Sequence, residues 1–150
     1  PRRWGQTREH ILAMKALWTE DAPGFAGRHV NFPRLWSYPK PVQRPHPPIL
    51  IGGELEKSAD RIAEYGDGWI PRHIATSPAA IETGRRRIEA LFRERGRDPS
   101  ALDITLFGCR AKREEMQSWF DAGVTRVLFV LHPEPPAAAL ARIERLAELL

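Results

Sequence analysis

Apolar positions along the chain follow two rhythms, and from residue 49 onward these rhythms alternate. Ile49-Leu50-Ile51 is a short apolar run stopped by Gly52-Gly53, which predicts a strand and a turn. Leu55, Ala59, Ile62 and Ala63 then fall on one stripe at helical spacing. Gly66-Asp67-Gly68 reads as a turn, and Trp69-Ile70 as a brief strand ended by Pro71. Ser77-Pro78 starts a second helix, because proline suits the first helical position. Ile81, Gly84, Ile88 and Leu91 run along that helix and Gly96 ends it. Beyond the connector Asp98-Pro99-Ser100, Asp103 to Phe107 is the third strand candidate. A helix over 112–122 is expected to bury Met116, Trp119 and Phe120, with Gly123 closing it. Val124 to Leu131 is the fourth strand, and 137–150 the last helix, with Leu140, Ile143, Leu146, Ala147 and Leu150 facing in.

Four strands alternating with four helices imply an α/β fold with parallel strands and right-handed crossovers. The strands are apolar on both faces, as strands covered by helices should be. Upstream, Ile11, Met14, Leu17 and Trp18 predict a helix over 7–20, with Thr7 as N-cap. Residues 21–48 carry Pro23, Pro33, Pro39, Pro41, Pro45, Pro47 and Pro48, which exclude most regular structure. Phe25, Val30 and Phe32 around Gly27 predict one small hairpin. The expected organisation is a single domain over 1–150: a helix in 1–20, a Pro-rich insertion over 21–48 and four βα units over 49–150.

Length changes this picture. The 150 residues suffice for one cored domain. They fall short of the roughly 250 of a complete (β/α)₈ barrel. With Pro1 rather than Met at the start, a fragment, a processed product or a truncated chain is expected. Composition is ordinary for a globular protein, at 42% apolar and 28% charged. No apolar run approaches the ~20 residues of a membrane span, and no leader is visible. Cys109 is the lone cysteine, so no internal disulfide forms, and a cytoplasmic location is expected. The net charge of +4 raises nucleic-acid binding. Its one tight cluster, Arg85-Arg86-Arg87, shares a helix with Glu82 and Glu89 and reads as a solvated face instead.

Sites in parallel α/β folds form at the C-terminal ends of the strands. There stand Gly52, Gly53 and Glu54, then Arg72 and His73, then Gly108, Cys109 and Arg110, and finally His132. The Gly pair before a helix start can cradle a phosphate on free N–H groups, or can serve only as a tight turn. Glu54 opposes a phosphate unless its carboxylate points away. Arg72 and His73 suit an anionic ligand, or a solvent-exposed loop. Cys109 has no base near it in sequence and reads as a small, partly buried thiol. No spacing resembles a metal site, a Walker loop, a nucleophile elbow or a dinucleotide fingerprint.

One long stretch is more specific. Trp36-Ser37-Tyr38-Pro39-Lys40-Pro41-Val42-Gln43-Arg44-Pro45-His46-Pro47-Pro48-Ile49-Leu50-Ile51-Gly52-Gly53 resembles a signature of the luciferase-like monooxygenase family. Within that family it resembles the deazaflavin-dependent (coenzyme F420) branch. Ala13-Met14-Lys15-Ala16-Leu17-Trp18-Thr19-Glu20 and Ala63-Glu64-Tyr65-Gly66-Asp67-Gly68-Trp69-Ile70-Pro71 support it in order and spacing. The resemblance implies a TIM (β/α)₈ barrel of which this chain supplies the last four βα units. It implies that the Pro-rich segment is an insertion near the barrel mouth. It also implies a cofactor, F420 or alternatively FMN, whose phosphate end meets Gly52 and Gly53, with Glu54, Arg72 and His73 as neighbouring candidates. The chemistry is then hydride transfer or flavin–oxygen chemistry on a small-molecule substrate, and no catalytic residue is assignable. The expected partner is the missing N-terminal half or a second copy, so a homo-oligomer is expected. The competing reading is a non-catalytic half-barrel that self-associates and retains at most vestigial phosphate binding.

Overall fold

A computed structural model of the chain describes residues 2–149. It divides into two compact units, one ending at Ile49 and one beginning at Leu50. In the first, helix α1 spans Arg2–Thr19, five residues earlier than the apolar pattern alone predicts. Thr7 is therefore not an N-cap. It lies inside the helix, where its hydroxyl donates back to the Arg3 carbonyl at 3.0 Å. Ile11 and Ala13 are buried, while Met14 is exposed. The expected hairpin is present: β1 (Phe25–Ala26) pairs antiparallel with β2 (Asn31–Phe32), placing Phe25 opposite Phe32. The rest of the Pro-rich segment has no regular element.

The second unit is a four-stranded parallel sheet in the order β3 (Leu50–Gly52), β4 (Gly68–Ile70), β5 (Asp103–Phe107), β6 (Arg126–Leu128). Each strand neighbours the next in sequence. A doubly wound sheet would reverse its order at a switch point, so this is the progression of a barrel. Register follows from the pairs Ile51↔Trp69, Trp69↔Ile104 and Leu106↔Val127. These residues share the face turned to the helices, and all but Val127 are buried there. The opposite face carries Leu50, Ile70, Thr105, Phe107 and Leu128, and Phe107 is 44% exposed.

Helices α2 (Leu55–Tyr65) and α3 (Pro78–Glu94) cover the first face. Ser77 caps α3 by accepting from the Ala80 N–H at 3.2 Å. Gly84 explains itself here: a Cβ would lie 2.8 Å from the Trp69 ring, so glycine lets the indole pack under the helix. The buried residue near the end of α3 is Phe92, not Leu91. Gly96, at φ +67, ends the helix in a left-handed turn that lets the Arg97 N–H reach the Phe92 carbonyl at 2.8 Å. The Arg97 guanidinium lies over the Phe92 ring and donates to the carbonyls of Ile62, Ala63 and Gly66 at 2.8–3.0 Å. It thereby closes the C-terminus of α2, whose last carbonyls have no helical partner.

Departures from the pattern concentrate at the end of the chain. Helix α4 (Arg113–Asp121) buries Met116 and Trp119 but leaves Phe120 39% exposed. Strand β6 is three residues long, not eight. Helix α5 (Pro136–Ala147) buries none of its residues, and Leu140 is 60% exposed. Of the inward stripe expected on this helix, Leu140, Ile143 and Ala147 are exposed and Leu146 is half-buried, and Leu150 lies outside the described residues.

Candidate functional site at the strand C-termini

The residues after β3 form a compact turn. Gly53 has φ +113, a conformation open to glycine and strained for any L side chain. A Cβ at that position would also come within 3.1 Å of the Ser58 hydroxyl. Ser58 is buried and donates to the Gly52 carbonyl at 3.1 Å, and the Trp69 indole donates to the Gly53 carbonyl at 3.0 Å. Both carbonyls of the pair are therefore pinned from behind, by α2 and by β4. The N-terminus of α2 follows at once. Glu54 occupies its N-cap without supplying a side-chain cap, and the first N–H groups of a helix have no intrahelical partners.

The Glu54 carboxylate is drawn sideways onto Lys57, 2.6 Å away. Lys57, and more weakly Arg72, hold this carboxyl below its ordinary range. Arg72 follows β4, the strand paired with β3, whose end carries the Gly pair and Glu54. Arg72 is exposed, and its backbone bridges to Phe107 of β5. His73 is differently placed. Its Nε2 meets Glu115 Oε1 of α4 at 2.5 Å, and its ring sits edge-on against Trp119, 5.5 Å between centroids. The buried indole N–H of Trp119 has no hydrogen-bond partner among the described residues.

Sequence reasoning missed Ser58, Glu115 and Trp119 as supports of these turns. Ser58 has a local signal, six residues beyond the Gly52 it anchors. Glu115 has none, since 42 positions separate it from His73. Cys109 is buried, with its N–H bonded to the Leu128 carbonyl at 3.0 Å. Burial first, then the nearby Glu115 carboxylate, raise its thiol above the ordinary value. A protonated thiol is a poor nucleophile, consistent with a packing role. His132 is exposed in the loop beyond β6. The arginine cluster of α3 is a laced helix face: Arg85 pairs with Glu89 at 2.8 Å, and Arg86 with Glu82. Among the described residues no helix is long and apolar enough to cross a membrane.

A parallel sheet in sequential order, with a helix after each strand, is the arrangement of a (β/α)₈ barrel. The family model of luciferase-like monooxygenases matches residues 1–149, and the chain belongs to that family. An uncharacterised protein of Mycobacterium tuberculosis is 34% identical over 152 aligned residues, covering 99% of this chain and 51% of its own length. The FMNH(2)-dependent dimethylsulfone monooxygenase of Pseudomonas putida is 37% identical over 65 residues, 43% of this chain and 18% of that protein. The coenzyme F420 dependent tetrahydromethanopterin reductase of Methanopyrus kandleri superposes with a TM-score of 0.70 at 14% identity, over 96% of this chain and 61% of that one. The chain spans about half the length of the mycobacterial relative, and its fold is the parallel (βα)₄ half of a TIM barrel.

Proposed function

We propose that this chain is the C-terminal half of a luciferase-like flavin- or deazaflavin-dependent oxidoreductase, and that it holds the phosphate end of the cofactor. The observation that carries the reading is the Gly52-Gly53-Glu54 turn. Its carbonyls are pinned by Ser58 and Trp69, its φ at Gly53 is +113, and it opens on a helix start without a side-chain cap. The residues fit the group: Gly53 adopts a φ of +113 that an L side chain would strain, and the helix start favours an anion. Lys57 neutralises Glu54, which removes much of the repulsion that this carboxylate would exert. Arg72 supplies an exposed positive charge at the rim, and His73, held by Glu115, forms a wall.

Coenzyme F420 is the first choice and FMN the alternative. Such a cofactor supplies the hydride-transfer or oxygen chemistry, while the protein binds, orients and excludes water. The substrate is a small molecule, the setting the cytoplasm, and activity requires the N-terminal half-barrel in the same or another chain. The reading is tested by titrating the purified chain with F420 and with FMN and following fluorescence. Binding in the micromolar range is expected, and Gly53→Asp should abolish it. Unchanged affinity in that variant would move the site away from the turn.

A second reading is a non-catalytic half-barrel that self-associates. It is favoured by the exposed Leu140, Ile143, Val130 and Leu131 around the last βα unit. The open edges of β3 and β6 add unpaired backbone groups. Dimers in sedimentation, with no binding of either cofactor, would select it. A monodisperse monomer would exclude it.

A further inference from the structure

Between the ends of β5 and β6 and the second half of α5 lies a cavity of about 410 Å³. That volume lies within the roughly 300–1,000 Å³ range of small-molecule pockets. Its apolar lining is Phe129, Val130, Leu146 and Leu149, with Cys109 beside them. Ala111 and two arginines, Arg142 and Arg145, complete the lining. The two arginines are not equivalent. Glu134 grips Arg142 with two hydrogen bonds, at 2.7 and 3.1 Å, and cancels its charge. Arg145, one turn further along α5, has no carboxylate or carbonyl partner among the described residues.

The frame around the cavity is built. Gly108, at φ +78, and Cys109 both donate to the Leu128 carbonyl, at 2.9 and 3.0 Å, and the Cys109 thiol donates to the Arg110 carbonyl at 3.4 Å. Arg113 at the start of α4 donates to the Glu148 carbonyl at 2.9 Å, tying down the end of α5. The cavity therefore presents one uncompensated positive charge beside an uncharged apolar wall. Cys109 follows β5 and Phe129 follows β6, so the cavity lies beside the C-terminal ends of these strands, where parallel barrels hold their ligands.

We propose that this cavity is a second small-molecule site, separate from the Gly52-Gly53 turn, which takes an amphiphilic monoanion: a single carboxylate on an alkyl or aryl body. The head pairs with Arg145 and the body lies along Phe129, Val130 and Leu146. A carboxylate on an unpaired guanidinium makes charge-assisted hydrogen bonds, whereas the same body with a neutral head leaves Arg145 unsatisfied. The proposal does not depend on the cofactor reading, because no residue is shared between the two sites.

The intact chain is titrated by calorimetry with octanoate, octanol, acetate, inorganic phosphate or FMN, each below any micellar concentration. Octanoate should bind saturably, while octanol, acetate and phosphate should not at equal concentration. Arg145→Gln, at an exposed helix position that leaves the fold intact by circular dichroism, should weaken octanoate binding about tenfold or more. Glu134→Gln frees Arg142 and should strengthen it. Equal binding of octanol, or unchanged octanoate affinity in Arg145→Gln, would overturn anion recognition. Displacement of octanoate by FMN at its own binding affinity would overturn the separateness of the two sites. No heat of octanoate binding to the intact chain would overturn the proposal as a whole.

Discussion

The second unit contains two kinds of βα packing. Helices α2 and α3 bury a full stripe against the sheet: Ala59, Ile62, Ile81, Ile88 and Phe92 are all fully buried. Helix α5 has a comparable apolar stripe, yet Leu140 and Ile143 stand 60% and 46% exposed. The difference is not one of sequence pattern. An amphipathic helix buries its stripe only if a surface is there to receive it. For α2 that surface is supplied by β3, β4 and α3, and for α3 by α2, α4 and the Trp69 ring of β4. Helix α5 follows β6, which is the edge of the sheet.

Substitutions can break or sharpen this contrast. The largest effect is expected from Ile88→Ala, which leaves a hole under α3 and should cost about 3 kcal/mol in urea unfolding. The matching change Ile143→Ala on α5 should cost well under about 1 kcal/mol. Equal losses would dissolve the distinction between the two helices. Arg97→Ala should follow, at about 2 kcal/mol, because it strips three carbonyls of their charged donor at the end of α2. Gly84→Ala should cost about 1–2 kcal/mol, since its Cβ presses on Trp69 while helix propensity improves.

A smaller effect is expected from pH. The folded Cys109 thiol keeps its proton beyond the ordinary value of 9.0, chiefly because it is buried. The folded state therefore binds more protons than the unfolded one in that window, so stability should fall as pH rises through it. Cys109→Ser should flatten that slope, and an unchanged slope would place the titration elsewhere. The smallest change concerns association. Adding Leu140→Lys to the exposed stripe should shift any dimer toward monomer in sedimentation without altering the unfolding midpoint of the monomer.

Most of the second unit was legible in the sequence because its signals are local. Ser77-Pro78 marks a helix start through a cap that spans three residues, and Gly96 marks an end through one left-handed turn. The Gly52-Gly53 pair announces its own turn for the same reason. Thr7 misled because a cap residue and a back-bonding threonine within a helix look alike without the preceding turn in view. The wall behind His73 was illegible. A Glu115 carboxylate 42 positions away has no sequence relation to an imidazole until α4 is laid beside the loop after β4. The same holds for Arg97, a surface arginine by pattern and a cap for three carbonyls in space.

By itself, then, the sequence determined the alternation of strands and helices, the turns between them and the family signature around the Gly pair. These rest on periodicity and on backbone preferences that act within a few residues. Only the tertiary structure decided which apolar stripes are buried, which strand is an edge and which arginines stand paired or alone. Those outcomes depend on what lies opposite each surface, and for α5 and the edge of β6 the sequence pattern carries no information about that.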